Sequence, residues 1–175
     1  MRKLISSLYV HGIASLVLLF CFSCATDQRL QPRQGGDQLF ELMPFEKTGV
    51  DFQNEIKESL YFNFINYSYV YNGGGVITAD FNNDGLIDLY FSANQKANKL
   101  FVNQGDFQFE EVTASAGVSD KLGWSTGVTT IDINNDGWLD IYVSKSGSLT
   151  DDALRQNLLF VNQGDLTFKE EARAW

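Results

Sequence analysis

The sequence is organised around the stretch Asp80-Phe-Asn-Asn-Asp-Gly-Leu-Ile-Asp88, which returns 52 residues later as Asp132-Ile-Asn-Asn-Asp-Gly-Trp-Leu-Asp140. Both copies carry side-chain oxygens at positions 1, 3, 5 and 9, and glycine at position 6, where a ligand loop turns sharply. Ca²⁺ takes six to eight oxygen ligands in a flexible cage. With a backbone carbonyl at position 7, the pattern predicts two Ca²⁺ sites. Their candidate ligands are Asp80, Asn82, Asp84, Leu86 (carbonyl) and Asp88, then Asp132, Asn134, Asp136, Trp138 (carbonyl) and Asp140.

Plain turns and EF-hands are the alternatives to these two metal sites. Asn, Asp and Gly are common turn residues, so plain Asx turns stay open as an alternative. An EF-hand needs a bidentate Glu at position 12, where this chain has Phe91 and Val143. The flanking segments are short, β-branched and aromatic, which indicates strands and not the helices of an EF-hand.

The duplication extends beyond the two loops. Residues 75–92 align without a gap with 127–144, and the block 98–106 returns at 157–165 after seven additional residues. Each unit holds four strand signals, which in the first unit lie at 75–79, 86–92, 99–102 and 107–113. Four antiparallel strands at a period of 52 to 59 residues are typical of a β-propeller blade. A β-sandwich with a chance duplication is the alternative fold.

The motifs of both units resemble FG-GAP/VCBS-type repeats, in particular those of the bacterial group related to cartilage acidic protein, whose longer members end in an ASPIC/UnbV segment. The matching residues are Tyr71–Tyr90, Asn98–Asp106, Phe109–Thr113, Ala116–Val118 and Gly123–Val143. The resemblance implies an all-β fold of two four-stranded β-propeller-type blades, in which Ca²⁺ in each hairpin loop ties two strands together. Literal Phe-Gly and Gly-Ala-Pro motifs are missing, so the pattern does not indicate an integrin-like adhesion head.

The N-terminal segment predicts export. Arg2 and Lys3 precede an apolar run over 13–22 that is too short to span a bilayer. The run is followed by Ser23 and Cys24, which resembles a bacterial lipoprotein signal peptide over 1–23 with Cys24 as the lipidated residue. An ordinary secretory peptide or a signal anchor is the alternative.

The residues after the signal predict an anchored protein. Residues 24–38 hold the lipidated Cys and a polar segment with Pro32 and two glycines, which favours a flexible tether over an ordered first strand. Ala25 replaces the Asp that would favour inner-membrane retention in enterobacterial lipoproteins. We therefore expect a lipid anchor in the cell envelope, at the outer membrane.

The expected layout continues with N-terminal strands over 39–74, a first repeat over 75–126 and an incomplete second repeat over 127–175. A propeller needs at least about four blades to close. The chain is therefore expected to be the N-terminal part of a larger propeller. The alternative is a small two-unit domain that oligomerises to cover its open edges.

Several aromatic residues lie outside the loops. The segment 61–71 is rich in Tyr and Phe, and core and blade packing are expected there, with a sugar-stacking platform as the alternative. Trp124 and Trp138 are expected to pack within the blades or at their rim, with a ligand contact as the alternative.

The amino-acid composition disfavours nucleic-acid binding and catalysis by His or Cys. Without the signal peptide the chain has 11 basic and 22 acidic residues, so no basic footprint for nucleic acid is present. His11 lies in the signal peptide and Cys24 carries lipid, which leaves no His or Cys for catalysis. The chain is therefore not expected to be an enzyme.

The expected function is a lipid-anchored, calcium-binding repeat protein that binds a protein or a glycan at the cell envelope. The alternative is a structural stalk, or the N-terminal part of a larger envelope protein whose activity, such as that of a glycan-active enzyme, lies beyond residue 175.

Overall fold

The computed structural model of the chain describes residues 40–120, 123–147 and 151–175. The signal peptide over 1–23, Cys24 and the tether up to residue 38 lie outside the described residues, so these assignments stay predictions. Within the described ranges, no helix combines the length and the apolar character needed to cross a membrane.

Two four-stranded antiparallel sheets form the body of the structure. The strands of the first sheet are β1 (Val76–Ala79), β2 (Asp88–Phe91), β3 (Lys99–Asn103) and β4 (Phe109–Glu111), and those of the second are β5 (Trp124–Ile131), β6 (Asp140–Ser146), β7 (Leu158–Asn162) and β8 (Phe168–Glu170). In each sheet every strand pairs with the next one along the chain. The prediction of an all-β fold with four strands in each repeat is confirmed.

Both repeats begin with the same hairpin. The acidic loop joins β1 to β2 and β5 to β6, and the strands start to pair at Ala79 with Asp88 and at Ile131 with Asp140. The hairpin between β3 and β4 turns at Gly105, which has a φ of 88°. Glycine adopts a positive φ without steric cost, which explains its place in this turn.

Short helical segments lie outside the sheets. Helix α1 spans Phe45–Thr48, helix α2 spans Thr113–Ala116 after β4, and a 3₁₀ turn spans Asp152–Arg155. The 3₁₀ turn falls in the additional residues of the second repeat, so this insertion extends the connection between β6 and β7 and leaves the strand pairing unchanged.

The expectation of N-terminal strands over 39–74 is wrong for the described part, residues 40–74, which contains α1 and turns but no strand. Local side chains explain the difference. Asn63 accepts the backbone N–H groups of Ile65 and Asn66, and Ser59 accepts that of Phe62. Such bonds satisfy the backbone within the segment and compete with sheet pairing.

The hydrophobic core lies between the two sheets. The first sheet contributes Ile77, Tyr90 and Leu100, and the second contributes Ile141 and Phe160. Each of these side chains is at most 7% exposed. Burial of this apolar area is the main favourable term that holds one repeat against the other.

Equivalent positions of the two repeats have opposite burial. Tyr90 is fully buried, whereas its counterpart Tyr142 is partly exposed. Ala79 is 6% exposed and its counterpart Ile131 is 41% exposed. The reverse holds on the other face, where Ile141 is fully buried and its counterpart Leu89 is partly exposed. The repeats therefore stack head to tail, with one face of the first sheet against the opposite face of the second.

The aromatic segment divides into a packed and an exposed part. Phe62 and Tyr67 pack on the buried ring of Trp124, with ring centroids 4.9 and 5.9 Å from it. The packing role expected of Trp124 is thereby confirmed. In contrast, Tyr61 is 90% exposed and Tyr69 is 63% exposed. The expectation of aromatic core packing over 61–71 therefore fails for a large part of the segment, because the chain turns here and does not run along a sheet.

Candidate metal centres

The first loop, Asp80–Asp88, is wrapped around its own acidic side chains. The carboxylate of Asp80 accepts the backbone N–H of Asp84 at 3.2 Å and that of Gly85 at 2.8 Å. Asp84 in turn accepts the N–H of Leu86 at 2.7 Å. The side chains at positions 1 and 5 therefore both point into the turn.

The second loop repeats this arrangement bond for bond. Asp132 accepts the N–H groups of Asp136 and Gly137, each at 3.0 Å. Asp136 accepts the N–H of Trp138 at 2.8 Å. The two loops differ in sequence only at positions 2, 7 and 8, so the shared conformation comes from the Asp, Asn and Gly positions.

The middle of each loop has a left-handed backbone. Asn83 and Gly85 have φ values of 55° and 84°, and Asn135 and Gly137 have 59° and 87°. Asn tolerates this region better than other side chains, and Gly adopts it without steric cost. The sequence Asn-Asp-Gly therefore fixes the sharp turn that brings positions 1, 3 and 5 together.

Position 3 is also placed in the turn. The side-chain amides of Asn82 and Asn134 donate to Asp84 and Asp136, each at 2.8 Å. The amide oxygens of Asn82 and Asn134 accept the backbone N–H groups of the same two aspartates at 3.2 Å. The amide at position 3 is thus held beside the carboxylate at position 5 in both loops.

The acids at position 9, Asp88 and Asp140, have a second role that the sequence pattern did not reveal. Both are fully buried. Asp88 accepts the backbone N–H of Phe81 and that of Asn103, each at 2.9 Å, so one carboxylate joins the loop, β2 and β3. Asp140 makes the equivalent bonds to Ile133 at 2.9 Å and to Asn162 at 2.8 Å.

The environment of Asp88 is unfavourable for a negative charge. Burial raises the pKa of Asp88, and the nearby carboxylates of Asp84 and Asp80 raise it further. The N–H groups of Asn103 and Phe81 act in the opposite direction and lower the pKa. A cation beside these three carboxylates would therefore stabilise the ionised form of Asp88.

Asn103 and Asn162 also belong to the site, although the loop motif does not include them. The side-chain amide of Asn103 donates to the carbonyl of Ile87 at 3.0 Å. That of Asn162 donates to the carbonyl of Phe81 at 2.8 Å, which links the second repeat to the first loop. Their identical position in the repeated block 98–106 and 157–165 was the available signal.

The two loops lie on the same side of the structure. The side-chain amide of Asn83 donates to the carbonyl of Gly137 at 3.4 Å, so the loop tips are in contact. Two clusters of carboxylates on neighbouring loops repel each other unless cations neutralise them.

The oxygen donors of each loop fit a hard cation, although the acidic side chains alone do not form a ready-made metal cluster. Among the described residues, no group of three or more His, Cys, Asp or Glu side chains forms a cluster that could hold a metal ion. The loop carboxylates accept backbone N–H groups instead. Each ionised carboxylate has about four lone-pair sites, so acceptor capacity remains for a cation. The residues of each loop supply oxygen ligands only, which is the chemistry that Ca²⁺ prefers.

The described ranges contain neither His nor Cys. Their ionisable groups are carboxylates, tyrosines, lysines and arginines. Burial raises the pKa of Tyr90, so its hydroxyl group stays protonated and serves as a buried hydrogen-bond donor to the carbonyl of Val118 at 3.1 Å.

Comparison with known proteins finds a match over the segment that holds both loops. Residues 80–143, which include both loops, match the FG-GAP-like repeat. Over 72 residues the chain is 35% identical to cartilage acidic protein 1 of Xenopus tropicalis and 38% identical to cartilage acidic protein 1 of Homo sapiens. Each alignment covers 41% of this chain and 11% of the relative, so the chain spans about a ninth of the length of these relatives. The matched segment is similar to an FG-GAP-like repeat, and the chain shows weak similarity to cartilage acidic protein 1.

Proposed function

We propose that the chain is a calcium-stabilised binding module of the FG-GAP/VCBS type, anchored by lipid at Cys24 to the outer membrane of the cell envelope, where it binds a protein or a glycan. The observation that carries the proposal is the bond-for-bond equality of the two acidic loops. Both loops carry oxygen-bearing side chains at positions 1, 3, 5 and 9, and oxygen is the ligand atom that Ca²⁺ prefers.

The proposed role of Ca²⁺ is structural. In the first repeat the ligands would be Asp80, Asn82, Asp84 and Asp88 with the carbonyl of Leu86, and the second repeat would use the equivalent residues. Bound there, Ca²⁺ would supply positive charge beside carboxylates that otherwise repel each other. The chain's own part is to hold the turn and to connect it to the sheet through the buried acid at position 9.

Calcium stoichiometry tests this proposal. Titration calorimetry of the chain from Ala25 onward should give two sites for the wild type and one site each for Asp84→Asn and Asp136→Asn. Ile87→Leu, which gives position 8 of the first loop the residue that the second loop has there, serves as the matched control and should keep two sites. A wild type that binds no Ca²⁺ would contradict the proposal.

The lipid anchor is tested separately. Full-length protein expressed in a bacterium with radiolabelled palmitate should carry label, and Cys24→Ser should abolish both the label and recovery in the membrane fraction. The equivalent change at Cys21, which lies within the predicted signal peptide, should leave the label in place. An unlabelled wild type in the soluble fraction would contradict the anchor.

A second candidate function is that the chain forms part of a larger propeller, which acts as a stalk or carries its activity elsewhere. The outer face of the second sheet favours this candidate. Thr129, Ile131, Tyr142 and Leu159 line a cleft of about 790 Å³ there. Their counterparts in the first repeat are the residues covered by the second sheet. A further repeat of the same kind would cover this face in the same way. Immunoblotting of native membrane extracts tests the idea, and one band near the 19.7 kDa of the present chain would contradict it.

A further inference from the structure

The seam between the two sheets contains a cleft of about 530 Å³ that is separate from the acidic loops. Its walls carry Tyr67 and Tyr69 on one side and Thr126 and Ser146 on the other. Residues 73–75, a run of three glycines, also line it. A concave site of this volume is of the size that binds small molecules or short oligomers.

The glycine run is rigidly held. Ser92 accepts the backbone N–H of Gly75 at 2.7 Å and donates to the carbonyl of Thr126 at 2.8 Å. Asn94 donates to the carbonyls of Gly73 and Ser125 at 3.1 and 2.9 Å. Both Ser92 and Asn94 are 1% exposed. Buried hydrogen bonds therefore tie the glycine run to the second sheet, and the cleft exists before any ligand arrives.

The tyrosine wall is held as well. Val70 is fully buried and its N–H donates to the carbonyl of Tyr67 at 3.1 Å, which anchors the turn that carries both tyrosines. The ring of Tyr67 packs between Trp124 and Tyr69, with centroid distances of 5.9 Å to each. Tyr69 nevertheless keeps 63% of its surface exposed. An aromatic ring that is held by a neighbouring ring and is still largely exposed can stack against a ligand.

The chemistry of the lining selects one class of ligand. None of the described residues that line the cleft carries a carboxylate, an ammonium or a guanidinium group. The polar groups are the hydroxyls of Thr126 and Ser146, the phenols, the amide of Asn72 and the glycine backbone. Aromatic faces beside neutral hydrogen-bonding groups match a sugar ring, which has C–H faces and a rim of hydroxyls. The net charge of −9 further disfavours anionic ligands.

We propose that this cleft binds a neutral oligosaccharide, with a sugar ring stacked on Tyr69 and its hydroxyls bonded to Asn72, Thr126 and Ser146. This inference rests on the proposed function and names the ligand class and the site of that binding module.

A glycan array of neutral and acidic oligosaccharides, probed with the chain from Ala25 onward in the presence of Ca²⁺, tests the proposal. The wild type should bind neutral glycans, and titration with the best-bound one should show a loss of about tenfold or more in affinity for Tyr69→Ala, as expected when an aromatic contact in a pocket is removed. Asn72→Ala should weaken binding several-fold. Tyr61→Ala is the matched control, because Tyr61 is 90% exposed and does not line the cleft, and it should bind within twofold of the wild type.

Three results would overturn the proposal: no neutral glycan bound, binding of acidic glycans only, or equal losses for Tyr69→Ala and Tyr61→Ala. Calcium titration of the same samples separates failure of the glycan site from failure of the calcium module. If Ca²⁺ still binds to two sites while no glycan binds, the glycan site is refuted and the calcium module stands. If neither ligand binds, the proposed function fails as well.

Discussion

Replacing Tyr90 by Phe should destabilise the fold far more than the same change at Tyr142, its counterpart in the second repeat. Tyr90 is fully buried. Its hydroxyl donates to the carbonyl of Val118 and accepts from the side chain of Asn98, both at 3.1 Å. Asn98 is also fully buried, so neither partner can bond to bulk water after the change. A buried polar group left unpaired costs about 1–3 kcal/mol, and we expect Tyr90→Phe to lower the free energy of unfolding by about 2–3 kcal/mol.

Tyr142 provides the comparison because its chemistry is the same and only its burial differs. Its hydroxyl accepts from the side chain of Asn157 at 2.7 Å, but Asn157 is exposed and Tyr142 is partly exposed. Water replaces the lost partner there, so Tyr142→Phe should cost less than about 1 kcal/mol. The difference between the two variants measures what the second sheet adds by covering the first.

Urea unfolding of both variants and the wild type, followed by tryptophan fluorescence in EDTA, measures these values. The slope of the free energy against urea should be unchanged in both variants, since the surface exposed on unfolding is the same. Equal losses for the two variants, or a larger loss for Tyr142→Phe, would refute the head-to-tail stacking from which the prediction is derived.

Three further changes follow from buried contacts. Asp88→Asn should lower the free energy of unfolding by about 1–3 kcal/mol even in EDTA, because an amide N–H₂ would face one of the two backbone N–H groups that now donate to the carboxylate. An unchanged urea unfolding curve would contradict this. Gly74→Ala should lower the melting temperature, because the added Cβ would lie 2.0 Å from the carbonyl oxygen of Ser92; a melting temperature equal to that of the wild type in calorimetry would contradict the close approach. Lys145→Met should lower the free energy of unfolding by about 3–5 kcal/mol, since the ammonium group pairs at 2.9 Å with Asp120 and the two side chains are 4% and 10% exposed. Adding Asp120→Asn should recover part of this loss in urea unfolding. Fully additive losses in the double variant would contradict the pairing.

Local features of this fold could be predicted from the sequence. The acidic loops and the hairpin at Gly105 are fixed by residues within a few positions of each other, through backbone conformations that only Gly, Asn or Asp adopt at low cost. The four strands of each repeat follow from β-branched and aromatic runs between these turns. Because the sequence is duplicated, each of these elements could be predicted from two separate stretches of the chain.

Tertiary features could not be predicted in the same way. Tyr90 and Tyr142 occupy the same position in their repeats, yet only Tyr90 is fully buried, because burial depends on which sheet has a neighbour on that face. Asn63 and Ser59 turn an aromatic segment away from a strand through bonds that a pattern of apolar residues does not reveal. The buried position of Asp88 likewise depends on Asn103, which is distant in sequence.

The thermal melt in Ca²⁺ and in EDTA is the decisive measurement for the acidic loops. The chain from Ala25 onward is melted under both conditions, beside Asp84→Asn and Asp136→Asn. At about 100 times the Kd, each occupied site should add roughly 2.7 kcal/mol, so the wild type should melt at a higher temperature with Ca²⁺ and each variant should lose part of that rise. A wild type that melts cooperatively at the same temperature in Ca²⁺ and in EDTA would show that the acidic loops are turns without a metal, and would contradict a calcium-stabilised module.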